Sequence, residues 1–461
     1  MLAKPTVLID REREWAALER FVERRQRLAI VYGPRRIGKS FLLDAICDAA
    51  DGRRYQAITG VAATQLADFG RTLGAWLGAG ALRLDGWADA LERLSRLRTP
   101  FVAIDELPYL TEASSELAGV LQRYVDTGSG PSLILAGSAM SAMSELIASR
   151  APLHGRAGTV VVPAPFAGVD LRTLWQTEDA LAALWVDAAL GGRPGYRPLV
   201  AAPGSDLDAW MIEELLASGS PLLDAAEADL AEIPDPTTLR GAYRAILGAI
   251  AAGERTFSSI SRVAGLPSGA LSRPLAALQR AGLVERVPDP LRARRDRYEL
   301  ADPHLNLWLS IIAPNRSLLQ AGRSREVWGR VRDTSWRSQV LGPRWEAVVR
   351  AHVASGAVKR VGVADAVGVT VVSDRTRRRT HEVDLVALSA GKIVAVGEAK
   401  LRALTGADLE RLLRIRECLR APDATLVLAS ATRVDAPAQA PPDLVSIEPA
   451  NIYGVDYTDG V

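Results

Sequence analysis

The segment Gly33-Pro-Arg-Arg-Ile-Gly38-Lys39-Ser40 sits between an apolar run, Leu28-Ala-Ile-Val-Tyr32, and a run with helical spacing, Ser40–Ala50. The first run has the length and composition of a buried strand. A strand, a glycine-bounded loop closing in Gly-Lys-Ser, and a helix together form a P-loop. The glycines let main-chain N–H groups curl around an anion, and the helix start adds the positive end of a dipole. Lys39 is expected to reach the β- and γ-phosphates of a nucleoside triphosphate, and Ser40 to ligate Mg²⁺. Gly33, Pro34, Arg35, Arg36, Ile37, Gly38, Lys39, Ser40 and Phe41 are the expected nucleotide contacts, with ATP the expected nucleotide. A chance glycine-rich turn would lack the flanking strand and helix.

Beyond this loop, short apolar runs alternate with helical ones. Strands are expected at Arg54–Val61, Phe101–Asp105, Ser132–Ala136 and Thr159–Val162. Helices are expected in pieces over Leu66–Arg96, then at Ser114–Asp126 and Ser141–Arg150. This alternation predicts an α/β fold, a parallel sheet with helices on both faces. Phe101-Val-Ala-Ile-Asp105-Glu106 reads as the Walker B strand, with Asp105 holding Mg²⁺ through water and Glu106 acting as general base. The competing reading of this carboxylate pair is a turn or a helix N-cap. Ser132-Leu-Ile-Leu-Ala-Gly137-Ser138 looks like a sensor strand lying between the other two, with Ser138 near the γ-phosphate or the lytic water. An ordinary Gly-Ser turn is the alternative. Arg156 stands where an arginine finger is expected, and a finger acting in trans requires a homo-oligomer or a partner. An arginine there equally suits a surface ion pair.

At 461 residues the chain has room for about three domains of roughly 150 residues. Its 48% hydrophobic and 24% charged residues are ordinary for a soluble protein that needs no staples. Cys47 and Cys418 are far apart and suggest neither a disulfide framework nor a zinc site, which fits a reducing cytoplasm. No apolar run reaches the roughly 18–20 residues that span a bilayer. The N-terminus lacks the apolar core of a signal peptide, so no membrane association is expected. A net charge of +2 does not demand a nucleic-acid partner.

Several further stretches occur in order: Asp10-Arg-Glu-Arg-Glu-Trp15, Ile104-Asp-Glu-Leu-Pro-Tyr109, Gly137-Ser-Ala-Met140, Pro152-Leu-His-Gly-Arg156 and Gly191-Gly-Arg-Pro-Gly-Tyr196. With the P-loop, they resemble the archaeal-type ATPases, a prokaryotic AAA+/STAND-related group. The resemblance covers the whole chain, because members often carry a winged helix and then a C-terminal DUF234 domain similar to PD-(D/E)XK nucleases. Here Arg197 follows Tyr196, where the family leads into an aliphatic position.

In the middle, Phe257–Val263 and Ser268–Arg280 read as two helices around an Ala264-Gly-Leu-Pro267 turn, followed by strands at Gly282–Val287 and Arg297–Leu300. This is a winged-helix pattern. Ser268, Ser272 and Arg273 are expected to face DNA, and Arg292, Arg294 and Arg295 to form the wing tip. Pro274 is expected to kink or shorten the second helix. The alternative is a module that only packs as an extension of the ATPase lid. A polar, arginine-rich stretch, Arg316–Arg337, comes next.

Near the C-terminus, Asp384 and Glu398-Ala-Lys400 have the order and spacing of the PD-(D/E)XK core, on two strands of a hairpin, and Glu346 matches that superfamily's helix carboxylate. Asp384, Glu398 and Glu346 would bind one or two Mg²⁺ ions, and Lys400 would orient the water attacking a phosphodiester. The basic run Arg375–Arg379, with Arg402, Arg411 and Arg414, would grip phosphates. A surface hairpin with ordinary ion pairs is the competing reading. His154, His304, His352 and His381 form no ligand cluster.

The expected organisation is a P-loop ATPase core over 1–190, a helical lid over 191–240, a winged helix over 241–315 and a restriction-endonuclease-like domain over 325–461. The expected function is ATP-driven action on DNA, with a Mg²⁺-dependent nuclease-like tail. The alternative is a nucleotide-dependent signalling switch whose tail binds a partner or nucleic acid without cutting. A transport ATPase lacks support, since no membrane segment or ABC signature is evident.

Overall fold

The computed structural model describes residues 2–231, 240–293, 295–432 and 441–454. Its chain divides into two compact units, Met1–Pro165 with Arg193–Gly195, and Phe166–Gly192 with Tyr196–Val461. The helices Gly168–Trp175 and Ala180–Ala189, expected within the core over 1–190, belong to the second unit.

The first unit is built on strands β1 (Leu28–Tyr32), β2 (Arg53–Gln56), β3 (Phe101–Asp105), β4 (Ser132–Gly137) and β5 (Thr159–Val161). All pair in parallel, in the order β2-β3-β4-β1-β5. β4 therefore lies between the P-loop strand and the Walker B strand, as the sequence predicts. Alternate residues of each strand go to opposite faces. Leu28, Ile30, Val102, Ile104, Leu133 and Leu135 pack on one side, under helices that include Ala62–Trp76 and Leu117–Thr127. Ala29, Val31, Ala103, Ile134 and Ala136 pack on the other, under the helices Glu12–Glu23 and Lys39–Ala50. This is the P-loop NTPase fold.

Two local differences stand out. β2 ends at Gln56, well short of the expected Val61, and a bend over 57–61 leads into the helix Ala62–Trp76. A helix also spans Leu107–Ala113, where no element was expected. Its Pro108 occupies the first turn, where a missing N–H costs nothing.

The second unit holds the winged-helix strands β6 (Val284–Val287) and β7 (Arg297–Leu300), paired antiparallel. It also holds β8 (Ala366–Asp374), β9 (Arg379–Ser389), β10 (Lys392–Lys400), β11 (Thr425–Ser430) and β12 (Leu444–Ile447) in the order β12-β11-β10-β9-β8. β8, β9 and β10 run antiparallel, whereas β10, β11 and β12 run parallel. The helix Gly406–Cys418 lays Leu409, Leu412 and Ile415 on this mixed sheet. The arginine-rich stretch Arg316–Arg337 carries the expected domain boundary near 325, but a helix, Ser324–Val331, spans that position. Its buried stripe of Ser324, Val327, Trp328 and Val331 has helical spacing, and Trp328 and Trp336 pack with Trp185. Among the described residues no helix is long and apolar enough to cross a membrane.

Candidate functional site: a phosphate loop and a carboxylate hairpin

β1 delivers the chain into the loop at Gly33. Two left-handed residues, Arg36 at φ 63° and Gly38 at φ 94°, then turn it into the helix Lys39–Ala50. Such a φ strains any residue but glycine and is found where a backbone is shaped for a purpose. Lys39 is buried, and its Nζ donates to the carbonyls of Gly33 (2.9 Å) and Pro34 (3.0 Å) within its own loop. Ile37 is fully buried, while Phe41 is about half exposed at the start of the helix.

The end of β3 meets this loop. Ser40 Oγ donates to Asp105 Oδ2 at 2.7 Å, and the Glu106 N–H donates to Asp105 Oδ1 at 3.0 Å. A hydroxyl and a buried carboxylate in contact form the hard-oxygen pair that suits Mg²⁺. Glu106 itself adopts a left-handed backbone, φ 54°. Its Oε2 accepts from Ser138 N (3.1 Å) and Ser138 Oγ (2.9 Å). The residue before Ser138 must be small: a Cβ on Gly137 would come within 2.5 Å of Pro108.

Three contacts were not anticipated in the sequence. Arg11, 4% exposed, donates to the Ile37 carbonyl (3.1 Å) and the Ala164 carbonyl (2.6 Å). Gly195 N donates to the Arg36 carbonyl at 2.9 Å, and a Cβ there would stand 2.8 Å from Arg36 Cα. Arg54 donates to Asp105 Oδ2 at 2.9 Å. The first two lie in Asp10–Trp15 and Gly191–Tyr196, stretches marked in the sequence only by their family likeness. Arg35 reaches the Tyr109 hydroxyl at 3.1 Å. Arg156, the expected finger, is not brought to the loop. It pairs with Asp126 at 2.7 and 2.9 Å and with the carbonyls of Pro152 and His154.

In the winged helix, Ser268, Ser272 and Arg273 are exposed on the helix Ser268–Arg280. Pro274 does not shorten that helix, contrary to expectation. It is buried beside Leu271, Leu275 and Leu278, and burying three leucines at about 1.5–3 kcal/mol each exceeds the ~3 kcal/mol proline penalty. The wing departs from expectation as well. Asp289 accepts from Thr370 on β8 at 3.0 Å, Leu291 packs on the core of the C-terminal sheet, Pro288 and Pro290 crowd Gly368, and Arg297 pairs with Glu382. Residues 288–291, at the start of the wing loop, thus pack against β8. Arg292 is half-buried and Arg295 exposed; Arg294 lies outside the described residues.

In the C-terminal sheet, Asp384 on β9 and Glu398 and Lys400 on β10 come together. Lys400 Nζ lies 3.3 Å from Asp384 Oδ2 and 3.1 Å from Glu398 Oε2. Arg411 donates to Glu398 Oε2 at 2.8 Å and to the Glu382 carbonyl at 3.1 Å. Glu398 is buried, and its Oε1 has no hydrogen-bond partner among the described residues. Burial pushes the Glu398 carboxyl upward, against the pull of Lys400 and Arg411. Lys400 is raised: burial opposes its charge, but Asp384 and Glu398 outweigh burial. Glu346, on the helix Gly342–Ala354, is pushed up to about 7 by burial and then by Asp384.

These residues do not meet the expected metal arrangement. Among the described residues no group of three or more His, Cys, Asp or Glu could hold a metal ion. Lys400 and Arg411 both sit on Glu398 Oε2. The proposed phosphate grip changes likewise: Arg402 is committed to Asp408 at 2.8 Å, and Arg411 to Glu398. Arg375, Arg377, Arg378 and Arg379 remain exposed at the β8–β9 turn.

Residues 238–295 match the model of the MarR family. No curated protein matches the chain. Among solved structures, the Walker-type ATPase of Pyrococcus abyssi is 20% identical at a TM-score of 0.51, covering 67% of this chain and 98% of that one. At this identity the likeness establishes the fold. The Aeropyrum pernix Orc1 protein in complex with DNA is 14% identical, covering 66% of this chain and 93% of that one, at a TM-score of 0.36. The Thermotoga maritima RuvB Holliday junction branch migration motor is 17% identical, covering 64% and 94%, at a TM-score of 0.31.

Proposed function

We propose that this chain binds ATP with Mg²⁺ at Gly33–Phe41, hydrolyses it, and uses the cycle to act on DNA. The observation that carries the reading is the 2.7 Å bond from Ser40 to Asp105, which joins the phosphate loop to the Walker B strand. Mg²⁺ supplies charge neutralisation on the β- and γ-phosphates. Ser40 and Asp105 would hold it. Lys39 would leave its two loop carbonyls for phosphate oxygens, and the exposed Phe41 would flank the nucleotide. Glu106, oriented by Ser138, would take the proton of the attacking water. Arg156 could serve as a finger, within one chain or between copies, only after leaving Asp126.

The exposed face of the helix Ser268–Arg280 is the proposed DNA contact, supported by the MarR-family match. With residues 288–291 packed against β8, that helix would be the main contact with DNA. The C-terminal sheet is proposed as nuclease-like from its Asp384, Glu398 and Lys400. A second reading, a nucleotide-dependent switch whose tail holds nucleic acid or a partner uncut, is favoured by one feature: Glu398 is already neutralised by Lys400 and Arg411.

The test measures ATP turnover with and without DNA, and DNA cleavage, in wild type and in Lys39→Ala, Asp384→Ala and Lys400→Ala. Lys39→Ala is expected to abolish nucleotide binding. DNA-stimulated turnover supports the DNA-acting reading. Cleavage lost in both C-terminal variants supports a nuclease. Mg²⁺-dependent cleavage absent from wild type in every nucleotide state supports the switch.

A further inference from the structure

Arg54 places a cation on the carboxylate that the proposed metal chemistry needs. It projects from β2, the strand next to β3. Its Nη1 donates to Asp105 Oδ2 at 2.9 Å, the same oxygen that accepts the Ser40 hydroxyl. The Asp105 side chain is fully buried. A buried carboxylate without a counter-charge is strongly destabilising, and Arg54 supplies that charge. The guanidinium has two other partners. Nε donates to Asp44 Oδ1 at 2.6 Å and Nη1 to Gln56 Oε1 at 2.7 Å. Asp44 is 53% exposed. Arg54 thus bridges a buried carboxylate and a surface one.

We propose that Arg54 is the resting counter-cation of Asp105. It yields the carboxylate when Mg²⁺ arrives with nucleotide and retires onto Asp44 and Gln56. A guanidinium and a divalent ion held at the same buried carboxylate, even through a water, repel each other strongly. Arg54 therefore sets the Mg²⁺ concentration at which nucleotide is held. This rests on the reading of Ser40 and Asp105 as the Mg²⁺ site.

The experiment uses the full chain and a fluorescent ATP analogue, titrated with MgCl₂, alongside melting of nucleotide-free protein in EDTA. Arg54→Ala is expected to lower the half-saturating Mg²⁺ about ten-fold, equivalent to about 1.4 kcal/mol. It is also expected to lower the melting temperature in EDTA, with recovery in millimolar Mg²⁺. Asp44→Asn removes the seat to which Arg54 retires. It is expected to raise the half-saturating Mg²⁺ alone and to have no effect in the Arg54→Ala background. Should Arg54→Ala not fold, Arg54→Lys keeps the charge but loses the fork and is expected to move in the same direction by less. An unchanged or raised Mg²⁺ requirement in the arginine variants overturns the proposal, as does an equal effect of Asp44→Asn in both backgrounds. Failure of the parent reading has a different signature: Lys39→Ala would bind the analogue as wild type does.

Discussion

Arg11→Ala tests how the phosphate loop is held in shape. The guanidinium is 4% exposed and donates to the carbonyls of Ile37, inside the loop, and Ala164. Deleting it leaves the buried Ile37 carbonyl without this donor and the carbonyl of the exposed Ala164 open to water. A buried unsatisfied acceptor costs about 1–3 kcal/mol, so losing the Ile37 bond should cost about that much. For a unit of this size each kcal/mol moves the melting temperature by about 2–4 °C, which predicts a fall of roughly 2–12 °C. The Ile37 bond matters beyond stability, because Ile37 lies between the two left-handed residues that aim the loop's N–H groups. Nucleotide binding should therefore weaken by more than ten-fold. Arg11→Lys can keep one of the two bonds and should fall between. Differential scanning fluorimetry with and without ATP, and binding of the fluorescent analogue, measure both effects. A variant that melts within about 2 °C of wild type and binds nucleotide equally well would refute the reasoning.

Glu106→Gln should bind nucleotide normally but lose about 10²–10⁴-fold in turnover, and Ser138→Ala, which removes one of the two bonds orienting Glu106, should lose less; single-turnover kinetics separate the two. The raised Glu346 carboxyl stabilises the folded chain fully below its ordinary value of 4.5, and that contribution is lost as pH rises through about 7. Glu346→Gln should therefore gain on wild type by up to about 3 kcal/mol at pH 8 and not at pH 4.5, read as melting temperatures at the two pH values. Arg411→Ala should cost about 1–3 kcal/mol, because Glu398 loses one charged donor but keeps Lys400, measured by chemical denaturation.

What was legible in the sequence was what is local. Glycine spacing, a strand before and a helix after fixed the phosphate loop, and alternating strands fixed the parallel sheet. Arg11 and Arg54 were not legible, because their partners lie 26 and 51 residues away and no local pattern marks an arginine as buried. The helix Leu107–Ala113 was hidden by Pro108, which suggests a breaker where it is a helix start. The wing was visible as two strands, but nothing in its own residues showed that 288–291 pack against β8. Trp328 and Trp336 lie within an arginine-rich stretch whose charge masks its buried stripe. The candidate carboxylates were found by order and spacing, yet their charge state depended on Arg411, which only the fold supplies.

One physical pattern links the two carboxylate sites. At the phosphate loop, Asp105 is buried and Arg54 sits on the oxygen that Ser40 also uses. At the hairpin, Glu398 is buried while Lys400 and Arg411 sit on one of its oxygens. A buried carboxylate must be neutralised in the absence of ligand, and the chain does so with its own cations in both places. The two sites differ in where a displaced cation can go. Arg54 has an exposed carboxylate, Asp44, to which it can move, so a divalent ion can replace it at little loss. Among the described residues, Arg411 has only the Glu382 carbonyl besides Glu398, and Lys400 has only Asp384 besides Glu398, so neither has a second charge outside the site to receive it. Displacing them should therefore cost more, and the loop, rather than the hairpin, is the place where metal binding should be easy. That asymmetry argues for ATP hydrolysis as the working chemistry of this chain.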